Sequence, residues 1–149
     1  MYKEPYFEWV EELGQATCII TDTYGHIYIG VATCHPDDKD MMSRRTGEEI
    51  AFRRARMESL KAMRDAIKTE IGTLKQLYYS MNQSSHFNEN SYENKMLQRR
   101  IRMKTFDLDT IKEMLTTEYE SLTELIKEKD KFYKQVRGHR NKAKSIQEN

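Results

Sequence analysis

Arg53, Arg54 and Arg56 fall on the opening turns of a helix whose start the sequence marks at Thr46-Gly47, with Arg44 and Arg45 just ahead of it. Guanidinium forks match phosphate oxygens, and the free N–H groups of a helix start add to that attraction. A second basic cluster, Arg99, Arg100, Arg102 and Lys104, sits near the beginning of the last helix. Arg100 and Lys104 are four apart and share one face; Arg99 and Arg102 share the adjacent one. Between the clusters runs NQSSHFNENSYEN, which bears Phe87 and Asn88. Together these groups could take phosphates, a purine face and its hydrogen-bonding edge. The bland alternative is that arginine-rich turns are solvated faces paired with nearby carboxylates, and such pairs are weak.

Other chemistries find less support. Cys34 and His35 are adjacent, so on a strand they point to opposite faces and do not share one ion. There is no second pair at zinc-ligand spacing, and no metal or cofactor is expected. His35 with Asp37 or Asp38 could form a dyad, but His-Pro-Asp is also ordinary turn chemistry. The chain lacks G-x-S-x-G, a P-loop, G-x-G-x-x-G and H-E-x-x-H. A binding protein is favoured over an enzyme.

The elements that must position these groups are mostly helical. The 149 residues are 33% charged and only 38% apolar, more polar than a usual domain. Long helices with narrow apolar seams explain that balance, and such seams need partners, so a homo-oligomer is expected. With 25 basic and 24 acidic residues the net charge is +1, which provides no global field for duplex nucleic acid. No export signal or membrane-spanning run is evident. Cys18 and Cys34 then read as reduced, buried thiols.

In chain order, Tyr6, Trp9, Val10 and Leu13 fit a short amphipathic helix that Gly14 can end. ATCIIT (16–21) and HIYIGVAT (26–33) read as a hairpin around Asp22-Thr-Tyr-Gly25. Gly30 inside the second strand suggests a bulge or a close backbone approach. HPDDKD is a polar crossover. Thr46 with Glu49 resembles a capping box, with Ser43 as a competing cap. Met57, Leu60, Ile67, Ile71, Leu74 and Tyr78 then hold a seam to about Ser80, with Arg53 and Arg64 on the same line. Such a helix would reach roughly 50 Å.

The Asn-rich stretch is expected to be a loop. Leu108, Ile111, Leu115, Leu122, Leu125, Phe132 and Val136 hold a second seam, with a kink or restart possible at Asp107 or Asp109. Gly138 is expected to end it, leaving a basic tail. The expected fold is α+β: a small antiparallel sheet in the N-terminal half, followed by two long antiparallel helices. As a single domain it divides into a short helix and β-hairpin head (1–40), a first long helix (41–81), the loop (82–94), and a second long helix with its tail (95–149).

One family resemblance bears on this. The runs GVATCHPDDKD from Gly30 to Asp40 and G-x-x-I-A-x-x-R-A from Gly47 to Ala55 resemble the phage Thoeris anti-defence proteins of the first type. The upstream ATCIITD strand is similar too. The resemblance covers roughly 14–70; beyond it only the architecture is shared. It implies a small oligomer, a dimer or higher, that encloses cyclic ADP-ribose isomers made by TIR-domain enzymes in the cytoplasm of an infected bacterial host. The messenger is held without being degraded, and some members also hold cyclic oligonucleotides. The R-A arginine is Arg54, implied as a phosphate ligand. The aromatic and amide that the family draws from its interhelical region fall on Phe87 and Asn88, with Tyr79 or Tyr92 and Asn82 or Asn94 as alternatives. The basic set of the last helix falls on Arg99, Arg100 and Lys104.

Two other classes compete. A hairpin followed by a basic helix also suits a small nucleic-acid-binding regulator, which would bind long polymers with steep salt dependence; the near-zero net charge argues against it. A coiled-coil adaptor would leave the arginines without phosphate partners.

Overall fold

A computed structural model describes residues 4–35, 43–83 and 91–148. It is α+β: three antiparallel strands, β1 (Tyr6–Val10), β2 (Gln15–Thr21) and β3 (Ile27–Thr33), then α1 (Arg44–Asn82) and α2 (Tyr92–Glu148). The sheet order is β1-β2-β3. The chain groups into two compact units, Met1–Glu58 with Glu118–Asn149, and Ser59–Thr117.

The first strand corrects the expectation of a helix at Tyr6–Leu13. Tyr6 pairs with Ile19, Phe7 with Cys18 and Trp9 with Ala16, so the segment is a strand followed by one 3-10 turn at Glu11–Leu13. Aromatic and β-branched side chains favour the pleat. Phe7 and Trp9 alternate onto the core, a period of two that the apolar residues on both faces had masked. Gly14 closes the turn at φ 56°, a left-handed conformation that glycine adopts without a Cβ penalty.

The hairpin expectation holds, from Gln15↔Thr33 to Thr21↔Ile27 without a bulge. Asp22 organises its turn: one carboxylate oxygen accepts from the backbone N–H of Tyr24 and of His26, both at 2.9 Å. The other accepts from the Tyr28 hydroxyl at 3.2 Å and lies 3.0 Å from His26 Nδ1.

The inward side of this sheet is built from small residues. Ala16, Cys18, Ala32 and Cys34 are buried with Ile20. A Cβ on Gly30 would collide with the Ala51 carbonyl and the Ala55 amide of α1. Close approach, rather than a bulge, is therefore what Gly30 provides. Ile50, Ala51, Ala55, Leu122 and Tyr133 complete the core of this unit. Both cysteines are buried free thiols. Burial first, then repulsion by Glu48, pushes the Cys18 thiol up to about 11, which keeps it protonated and inert. The larger apolar residues of β3, Ile27, Ile29 and Val31, are exposed on the opposite face together with Tyr6.

Helix α1 starts at Arg44, and its cap falls on the competing Ser43, three residues before Thr46. The Thr46 backbone N–H lies 3.4 Å from Ser43 Oγ, the geometry of an N-cap at Ser43. The predicted seam is correct in phase: Leu60 and Ile71 are buried, and Arg53, Met57, Arg64, Ile67, Leu74 and Tyr78 are half-buried. Helix α2 departs from expectation at both ends. It begins at Tyr92, with the Asn94 N–H 3.2 Å from Ser91 Oγ. It then passes Asp107, Asp109 and Gly138 without a break, to Glu148. Positive φ is confined to Gly14 and Gly25 among the described residues; Gly138 thus lacks a left-handed cap, and one helical glycine costs only about 1 kcal/mol. On the second seam Tyr133 is buried where Phe132 was expected, and Phe132 is exposed.

Candidate functional site

The two basic clusters meet different partners. In the unit that carries the sheet, Arg53 Nη1 donates to Glu118 Oε1 at 3.2 Å, and its Nη2 lies 3.5 Å from Glu49. Arg56 Nε lies 3.6 Å from Glu118 Oε2. The Glu118 side chain is 9% exposed, so α2 buries a carboxylate against two arginines of α1. Arg54 turns the other way and donates to the Val31 carbonyl of β3 at 2.6 Å, tying helix to sheet beside Gly30. Arg44 pairs with Glu48 at 2.9 Å. Arg53, Arg54 and Arg56 thus hold elements together, while Arg44 pairs within α1. A smaller cavity in the same unit, of about 350 Å³, lies between Ser43 and Thr46 on one side and Leu125, Lys129 and Tyr133 on the other.

In the unit Ser59–Thr117, the second cluster borders open space. Leu74, Leu77 and Met81 of α1, with Met96, Leu97 and Met103 of α2, line a groove of about 650 Å³. Its charged lining is Arg99, Arg100 and Lys104 against Glu93 and Asp107. The volume falls within the range of small-molecule sites. Methionine and leucine supply a deformable apolar floor, and the three cations supply point and fork donors for an anion. Arg100 Nη2 and Lys104 Nζ each lie 3.3 Å from a different oxygen of Glu70 on α1. Lys104 chiefly, against an opposing effect of burial, and then Arg100 hold the Glu70 carboxyl below its ordinary value.

The sequence-predicted residues therefore divide. Arg99, Arg100 and Lys104 are brought together on one groove. Arg54 belongs to the other unit, where it serves the sheet–helix packing. Phe87 and Asn88 lie outside the described residues, as do Asp37 and Asp38. Among the alternatives, Tyr79 and Tyr92 are exposed, while Asn94 is fully buried, with its Oδ1 3.5 Å from Gln98 Nε2. Its burial at the start of α2 gives Asn94 a structural role there.

Sequence reasoning missed Glu118 and Glu70. Glu118 had a legible signal, since it falls between Leu115 and Leu122 in steps of three and four. A carboxylate at a seam position calls for a cation opposite. Glu70 had none, because it lies beside the seam and acquires meaning only through the register of α1 against α2. Among the described residues no group of three or more His, Cys, Asp or Glu could hold a metal, and no helix is long and apolar enough to cross a membrane.

Fold and site together define a three-stranded sheet followed by two long helices, with a basic-edged apolar groove between those helices in the unit Ser59–Thr117. No protein-family profile, curated protein or solved structure matches the chain.

Proposed function

We propose that the chain binds and sequesters a cyclic ADP-ribose-type nucleotide messenger without breaking it, and so acts as an anti-defence protein against Thoeris signalling. The observation that carries the reading is the groove edged by Arg99, Arg100 and Lys104. Guanidinium and ammonium groups neutralise a pyrophosphate, while the Leu/Met floor accepts a ribose edge and a purine face. The Gly30–Asp40 and Gly47–Ala55 motifs point in the same direction by resemblance. The setting of this reading is the cytoplasm of an infected bacterial host, and cyclic oligonucleotides are a further ligand class within it. Binding and release of an intact ligand need no nucleophile, so the protein is read as a sponge and not as an enzyme.

The reading includes a homo-oligomer. Small residues on the inner side of β3 admit α1 closely, and that leaves Ile27, Ile29 and Val31 exposed with Tyr6 on the outer side. Tyr6, Ile19 and Ile29 stand in one cross-strand row, the kind of apolar surface that a second copy covers.

The test is capture and release. The purified protein is incubated with the product of a TIR enzyme, removed by filtration, and then heat-denatured. The messenger should vanish from the filtrate and return intact on denaturation. Loss without recovery would indicate an enzyme, and no loss at all would overturn the proposal. The Arg100→Ala/Lys104→Ala double variant should fail to capture while keeping its helical circular dichroism.

A further inference from the structure

Resting on the reading that this groove takes an anionic ligand, we propose that Glu70 is the ligand's built-in competitor. Its carboxylate holds Arg100 and Lys104 at the groove, and a phosphate group binds by taking both cations from it. Each Glu70 oxygen faces one of the two cations at 3.3 Å, a bridging geometry that a phosphate or pyrophosphate reproduces with its own oxygens. Arg100 and Lys104 line the groove, whereas Glu70 stands beside it. The lining holds three cations against Glu93 and Asp107; Glu70 brings the charges to balance.

The exchange is reversible because Glu70 can return to water. Its side chain is 36% exposed, so once released it is solvated instead of stranded. The contrast is Glu118, whose side chain is 9% exposed and cannot release Arg53 and Arg56 without leaving a buried charge. Affinity at the groove is therefore a difference between what the ligand and Glu70 offer the same cations. A single carboxylate or other monoanion offers no more than Glu70 does. A diphosphate, with charge on two linked groups, engages both cations and outcompetes it.

Calorimetric titration with cyclic ADP-ribose and with inorganic pyrophosphate tests this on the full chain. Glu70→Gln should tighten both about fivefold, the scale of one exposed ion pair. Glu70→Asp, which shortens the reach, should give a smaller gain and serves if the glutamine variant misfolds. On a Lys104→Ala background, Glu70→Gln should give a smaller gain, because part of the coupling is lost with that cation. If the wild type binds cyclic ADP-ribose and the Arg100→Ala/Lys104→Ala variant does not, yet both Glu70 variants bind no tighter than wild type, the competitor role is overturned and the ligand reading stands. If the Arg100→Ala/Lys104→Ala variant binds as the wild type does, or no form binds, the groove is not the anion site and both fall.

Discussion

Glu118 and Glu70 are both glutamates that face two cations across the same pair of helices, one in each compact unit. Glu118 is nearly sealed between Arg53 and Arg56, with a side chain 9% exposed. Glu70 is 36% exposed beside Arg100 and Lys104. A buried carboxylate removed from its partners leaves a costly desolvated charge; an exposed one exchanges partners with water at little loss. Burial thus separates a cation cluster that holds a fold from one that can meet a ligand. The residue types alone do not.

The strongest way to break this contrast is at the packing around Arg54. Gly30→Ala places a Cβ against the backbone of Ala51 and Ala55. No rotamer change relieves a collision with backbone, so α1 and β3 must part. The expected loss is about 3 kcal/mol, the upper end for overpacking, read as a fall in the urea midpoint. A midpoint within error of wild type would show that the close approach, and with it the structural assignment of Arg54, is wrong.

Next in size is the comparison of the two carboxylates themselves. Glu118→Ala should cost about 2 kcal/mol, since a charge-assisted hydrogen bond from Arg53 and an ion pair with Arg56 are lost inside the unit. Glu70→Ala should lower the urea midpoint by much less, as expected of an exposed pair. Equal losses from the two substitutions would remove the distinction drawn between the clusters.

Much of the fold was legible in the sequence because helical seams repeat. The residues from Met57 to Tyr78 fall on the face that their spacing predicts, and the hairpin is legible from Asp22-Thr-Tyr-Gly25 between two β-rich runs, though its register is not. The failures have local physical causes. Tyr6–Val10 satisfies a helical period and a strand period together, and only pairing with β2 decides between them. Gly138 offers a stop signal, but a stop also needs a left-handed turn and a side chain or backbone to cap it. For the site, Arg99, Arg100 and Lys104 were legible as a cluster. The groove beside them was not, since it needs Leu74, Leu77 and Met81 to be brought opposite Met96 and Met103. That opposition is a property of helix register, which sequence spacing within one helix does not encode.

The finest distinction lies in how carboxylates are held, and salt resolves it. Asp22 and Glu70 both sit below their ordinary values, 3.8 and 4.5. At Asp22 burial pulls upward, and hydrogen bonds from the His26 backbone and ring, the Tyr24 backbone and the Tyr28 hydroxyl outweigh it. At Glu70 the lowering comes first from Lys104 and then from Arg100, again against burial. A lowered folded value means that each group contributes stability above its ordinary value and loses that contribution as pH falls through the lower folded one. Raising the salt to about 1 M shortens the screening length to about 3 Å, which weakens exposed ion pairs far more than backbone hydrogen bonds. In a carboxyl-carbon NMR titration, Glu70 should therefore move back toward 4.5 in high salt while Asp22 stays low. If Glu70 is as insensitive to salt as Asp22, its hold on Arg100 and Lys104 is not an exchangeable ion pair, and the groove's cations serve the fold in the same way as those around Glu118.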